Sequence, residues 1–179
     1  MAGSYLRVMA AMSLALGLAD CASDERAFVS GDEAVVGDAH VEQPSHPIQC
    51  VPYARTRSGV ALYGDAGTWW TQAEGSYLRS EKPTLGSVMV LTGYAGPGRA
   101  HVAVVNRMVS DREITVDHAN WLDDGAIYRD DPVMDVSPEN DWSEVRVYNI
   151  KVHAWGVRTY LVQGFIGPGP ENDRVAAGW

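Results

Sequence analysis

The stretch LGSVMVLTGYAGPGRAHVAVVNRMVSDREITVDHANW, residues 85–121, limits the fold more than any other part of the chain. It holds three runs of strand length, the first two rich in valine, joined by the turns GPGR and SDRE. Parallel neighbours need a crossover of about a dozen residues or more, so runs joined this tightly must lie antiparallel. Beyond them the segment 123–140 is rich in Gly, Asp and Pro and reads as a loop, after which SEVRVYNIKV and GVRTYLVQGFI supply two further strands. Ahead of them, QCVPYARTRSGVALYG reads as a helix, with its proline tolerated in the first turn and Gly59 as its stop. GDAGTWWTQAEG reads as a second, short helix bounded by glycines. Helices first and an antiparallel meander afterwards predict an α+β domain, with the N-terminal helices packed on an antiparallel sheet of about five to six strands.

The N-terminal stretch MAGSYLRVMAAMSLALGLADCAS carries one charge, Arg7, before an apolar run from Val8 to Ala19. The run is short for a bilayer span, and a charge followed by an apolar core of this length predicts an export signal over residues 1–22. Leu18, Ala19 and Cys21 resemble the end of a bacterial lipoprotein signal, while Asp20 stands where that motif expects a small residue. Lipidation of Cys21 and ordinary cleavage after Ala19 are the two readings. Both place the protein in the periplasm or cell envelope, lipid-anchored in the first case. Residues 23–48 are polar and acidic with little periodicity, which predicts an arm or linker before a domain over 49–179. A formal net charge of -9 argues against a nucleic-acid partner, which requires a basic stripe.

There are 2 cysteines in the chain. With Cys21 removed or lipidated, Cys50 has no disulfide partner within the chain. Cys50 opens the first predicted helix, where the positive end of the helix dipole favours a thiolate. A thiolate nucleophile needs a base, and there are 5 histidines. His40 and His46 fall in the arm, and His153 ends a strand without polar company. His101 opens the strand HVAVV, where it can point toward the start of a helix packed on the sheet. In ITVDHANW, strand alternation puts Ile114, Val116, His118 and Asn120 on one face and Thr115, Asp117 and Ala119 on the other. Asn120 or His118 can orient the base; Asp117 points away unless a bulge re-aims it.

The order of QCVPYAR, LGSVMVL, AHVAVV and ITVDHANW over Gln49–Trp121 resembles the papain-like cysteine amidohydrolases, and most closely the CHAP family, cysteine- and histidine-dependent amidohydrolases and peptidases. The resemblance implies a papain-like CHAP fold, Cys50 as nucleophile and His101 as base. Aligned on ANW, Asn120 becomes the orienting residue and His118 stands where such sequences often carry Glu; NlpC-type relatives use a histidine third, which keeps His118 in place. Gln49 matches the Gln that commonly precedes the nucleophile and lines the oxyanion hole. Trp121 and Trp69 are candidates for lining a substrate groove, with core packing as the alternative. The implied substrate is peptidoglycan, cut at an amide or peptide bond with no metal or cofactor. A zinc amidase would need three ligands on rigid elements, and Asp117 and His118 point to opposite faces. A serine hydrolase would need a Gly-x-Ser-x-Gly elbow, which is missing from the sequence. The remaining alternative is a catalytically inactive module of the same fold that binds the wall or a partner protein.

Overall fold

The computed structural model describes residues 37–168. The expected export signal, Cys21 and the first part of the acidic arm lie outside the described residues. The described chain is mostly β, with nine strands: β1 (His40–Glu42), β2 (Arg79–Ser80), β3 (Val88–Thr92), β4 (Ala100–Met108), β5 (Glu113–Ala119), β6 (Ile127–Asp135), β7 (Glu144–Asn149), β8 (Ala154–Trp155) and β9 (Tyr160–Ile166). Helices are few: α1 (Cys50–Ser58), and a 3-10 turn at Ala66–Thr68 running into the single turn α2 (Trp69–Gln72).

The strands pair in the order β6-β5-β4-β3-β9-β7, and β7 returns to β6, which closes a six-stranded antiparallel barrel. This overturns the expected α+β architecture of helices packed on an open sheet. The cause is β6, which lies inside the segment read as a loop. Its sequence IYRDDPVMD carries three aspartates and a proline, so it shows no apolar run. In the barrel it pairs with β5 on one side and β7 on the other, and β1 also adds to it through His40↔Arg129 and Glu42↔Ile127. β1 lies in the stretch read as an arm.

Alternation along the strands builds two cores. Met89, Leu91, Ala103, Val105, Ile114, Val116, Val133, Val145 and Phe165 come from all six barrel strands and fill its interior. The intervening residues Val88, Val90, Val102, Val104 and Ile166 face outward and are covered by Ala54 of α1, Val60, Leu62 and Trp69. The helical segment is therefore a patch on the outside of a barrel. α1 ends as the sequence predicts: Gly59 takes the left-handed conformation (φ 73) and its N–H bonds to the Arg55 carbonyl.

A charged layer holds α1 to the barrel. Asp117 faces outward, as alternation predicts, and is buried. Its Oδ2 accepts from Arg57 Nε of α1 at 2.8 Å and from Arg129 Nη1 of β6 at 3.3 Å, and its Oδ1 accepts from the Asp130 N–H at 3.0 Å. Arg129 also donates to Glu42 of β1 and to the Tyr53 hydroxyl of α1. The layer thus joins α1, β1, β5 and β6.

Candidate active site

Cys50 is the first residue of α1, half-buried, with Gln49 in the N-cap position. The first turn of a helix leaves its N–H groups without intrahelical partners. Here the N–H groups of Cys50 and Val51, together with that of Val102 on β4, favour a negative sulfur, as does the charge of Arg99. Burial acts the other way and is the larger effect, so the thiol is held above its ordinary 9.0. The helix start alone predicts a lowered thiol pKa; desolvation reverses the sign.

Cys50 opens onto a cavity of about 370 Å³ lined by Gln49, Val51, residues 64–67 and the turn Gly98–Ala100. His101 follows directly on β4, with its side chain on the interior face and only 1% exposed. Its ring packs between Tyr94 at 4.9 Å and Trp121 at 4.9 Å, centroid to centroid. The Tyr94 hydroxyl donates to the Trp121 carbonyl, and burial pushes that phenol up to about 12, so it stays a neutral donor.

The next strand settles which side chain meets His101. His101 Nε2 lies 3.0 Å from His118 Nδ1, and His118 Nε2 lies 2.9 Å from Asp131 Oδ2. All three side chains are buried. The register pairs Val116 with Asp131 and His118 with Tyr128, and the shift between them lets β5 turn His118 toward the Asp131 carboxylate. Asp131 was hidden from sequence reasoning by its place in an apparent loop. Its signal was an acid at strand spacing within IYRDDPVMD, visible only once that segment is paired.

Asn120 lies just past the end of β5 in a left-handed conformation (φ 59), which carries it off the face that alternation assigns. Its Oδ1 accepts from the Gly125 N–H at 2.7 Å, which fixes the amide orientation, and its Nδ2 donates to Gln49 Oε1 at 2.8 Å. Asn120 therefore bonds to the residue before Cys50, and the side chain that meets His101 is His118. Gly125 (φ 67) packs directly on Pro47, where an added Cβ would lie 2.5 Å from the proline Cβ, and its carbonyl accepts from the Ile48 N–H. Of the two tryptophans, Trp69 is fully buried in the outer core and Trp121 is in the aromatic packing around the two histidines. Neither lines the cavity beside Cys50.

Burial, and secondarily the nearby His118, holds His101 well below its ordinary 6.5. The sign for stability follows. The unfolded chain takes up a proton at this histidine as pH falls through about 6.5 and the folded chain resists it, so stability drops from there downward. Asp131 acts in the opposite sense: burial raises its carboxyl above 3.8 against the pull of His118, so its protonation returns some stability in more acid solution. The melting temperature is expected to fall between pH 7.5 and 5.5, and His101→Gln should flatten that slope. Equal slopes in melts of the two proteins would refute the assignment.

A search of curated proteins returns no match to this chain. The CHAP domain profile matches residues 27–120, over half of the chain and including Gln49, Cys50, His101, His118 and Asn120. Asp131 lies beyond that match. Members of this family are typically hydrolases of the peptidoglycan amidase and peptidase type. With a cysteine opening α1 and a histidine opening β4 inside the matched region, the chain belongs to the CHAP domain family.

Proposed function

We propose that the protein is an exported cysteine amidohydrolase or peptidase acting on peptidoglycan. The observation that carries this reading is the buried line His101–His118–Asp131, whose first member directly follows Ala100, a residue that lines the same cavity as Cys50. His101 commits Nε2 to His118, so Nδ1 is the nitrogen it can offer to a thiol. In the resting site the raised thiol and the lowered imidazole are both neutral. The Cys50 proton passes to His101 Nδ1 as the sulfur attacks the amide carbon, and the carbonyl oxygen becomes an oxyanion. Backbone N–H groups at the start of α1 can stabilise it. Gln49 can add a donor: with Oε1 tied to Asn120, its Nε2 is the free end of an amide that lines the cavity. The tetrahedral intermediate collapses, His101 returns the proton to the leaving amine, and a thioester remains. Water, deprotonated by His101, then hydrolyses it to a carboxylic acid and restores the thiol.

The test is digestion of purified peptidoglycan by the full chain under reducing conditions, beside Cys50→Ala, with products read by mass spectrometry. New amino and carboxyl ends are expected with the wild type alone, and their masses name the bond. If neither protein changes the wall while both pellet with it, the chain is a binding module and the hydrolase reading fails.

A further inference from the structure

We propose that Asp131 is a positioning residue that sets the tautomers of both histidines, so that His101 carries its proton on Nε2 and keeps Nδ1 free as the base. The proposal rests on the hydrolase reading of the same site and extends the machinery to a third strand. Two observations carry it.

The first is the direction of the hydrogen bonds. A carboxylate only accepts, so an ionised Asp131 at 2.9 Å obliges His118 to hold its proton on Nε2. His118 Nδ1 is then a lone pair, and at 3.0 Å it must receive a proton from His101 Nε2. A neutral imidazole carries one N–H, so His101 Nδ1 is left unprotonated. One acceptor on β6 thus determines the state of a ring two residues away along the relay. Without it the chain of bonds can run backwards: His118 donates from Nδ1 to His101 Nε2, His101 carries its proton on Nδ1, and it cannot take one from the thiol.

The second is what Asp131 does not do. Two other buried carboxylates of the barrel, Asp117 and Asp135, spend both oxygens on structure. Asp117 takes Arg57, Arg129 and the Asp130 N–H. Asp135 takes the Ser137 N–H and hydroxyl on one oxygen and the Trp142 N–H on the other. Asp131 Oδ2 meets His118, while Oδ1 is buried with no hydrogen-bond partner among the described residues. Burying a carboxylate with one oxygen unmatched destabilises the fold. Its one compensating contact is the relay, and burial also lifts its pKa. The other titratable side chains around the two rings are Tyr94 and Tyr128, both held as neutral phenols, and Cys50 at the cavity.

The experiment is nitrogen-15 NMR of the histidine rings in the full chain at neutral pH, for the wild type and Asp131→Asn, with the rate of Cys50 alkylation measured as a function of pH on the same samples. The wild type should show His118 and His101 both protonated on Nε2. Asparagine is nearly isosteric but can present its NH2 to His118 Nε2. It should move both rings toward the Nδ1–H form and slow the histidine-assisted alkylation by about a hundredfold, less than the roughly 10⁴-fold lost when the acceptor directly behind a catalytic histidine loses its charge, because Asp131 stands one ring further away. A wild-type spectrum with the proton on Nδ1 of either ring overturns the proposal. So does an Asp131→Asn protein whose tautomers and alkylation profile match the wild type. If that variant fails to fold, the wild-type spectrum alone decides. Because the spectrum does not depend on digestion of any wall, it separates failure of this proposal from failure of the hydrolase reading.

Discussion

His101→Gln is expected to fold, to melt close to the wild type at neutral pH, and to lose about a thousandfold in turnover, within the range that a positioned acid–base group supplies. Glutamine keeps an N–H donor that can reach His118 Nδ1, so the hydrogen bond across the barrel end survives. What is lost is the acceptor that takes the thiol proton. The pH profile should then change shape. In the wild type the acid limb follows a histidine held well below 6.5, so activity persists into mildly acid solution. In the variant the residual rate depends on thiolate drawn directly from solution. It should climb as pH approaches and passes the raised thiol pKa, above the ordinary 9.0. A variant that keeps both wild-type turnover and wild-type profile would remove His101 from the chemistry. Circular dichroism and a melt beside the kinetics show whether the loss is catalytic or structural.

The second large effect is on stability. Asp117→Ala removes the carboxylate shared by Arg57 and Arg129 and the acceptor of the Asp130 N–H. Breaking a buried pair costs roughly 3–5 kcal/mol, mostly as the penalty on the charge left behind. The two arginine side chains are 40% and 29% exposed, so water recovers part of that loss. About 2–3 kcal/mol is the expected net cost, a fall of roughly 5–10 °C in melting temperature. Since Arg57 lies on α1 and Arg129 on β6, the damage should spread to the helix that carries Cys50. Alkylation of Cys50 should become faster and less selective as α1 loosens. A melting temperature within a degree or two of the wild type would show that the layer contributes little to holding the helix.

The strands β3, β4 and β5 were legible because each is an apolar run between strong turn signals, and α1 because Pro52 and Gly59 mark its two ends. The barrel was not legible, and one strand explains why. Sequence patterns report burial through apolar side chains, but Asp130, Asp131 and Asp135 on β6 each meet polar partners instead. Asp130 accepts from Asn106 and Thr115, Asp131 meets His118, and Asp135 accepts from Ser137. A polar strand inside a closed barrel looks like a loop until its neighbours are known. The same limit applies at the site. Alternation correctly put His118 on the face of the base and Asp117 on the other, yet it also assigned Asn120 to the first face. Alternation assumes extended backbone, and Asn120 leaves it with a positive φ.

Closure of the barrel divides the labour between two kinds of structure. The relay is held by β4, β5 and β6, which are strands of the closed ladder. The cavity beside Cys50 is walled largely by residues 64–67 and by Gly98 and Arg99, which lie in connections outside that ladder. Substitutions in those connections are expected to leave the distances from His101 to His118 and from His118 to Asp131 unchanged. A scaffold arranged this way can vary the cavity wall while its buried relay stays constant. On the proposed amidohydrolase reading, attempts to redirect the protein to a different amide should therefore begin in the two connections and leave the three strands alone.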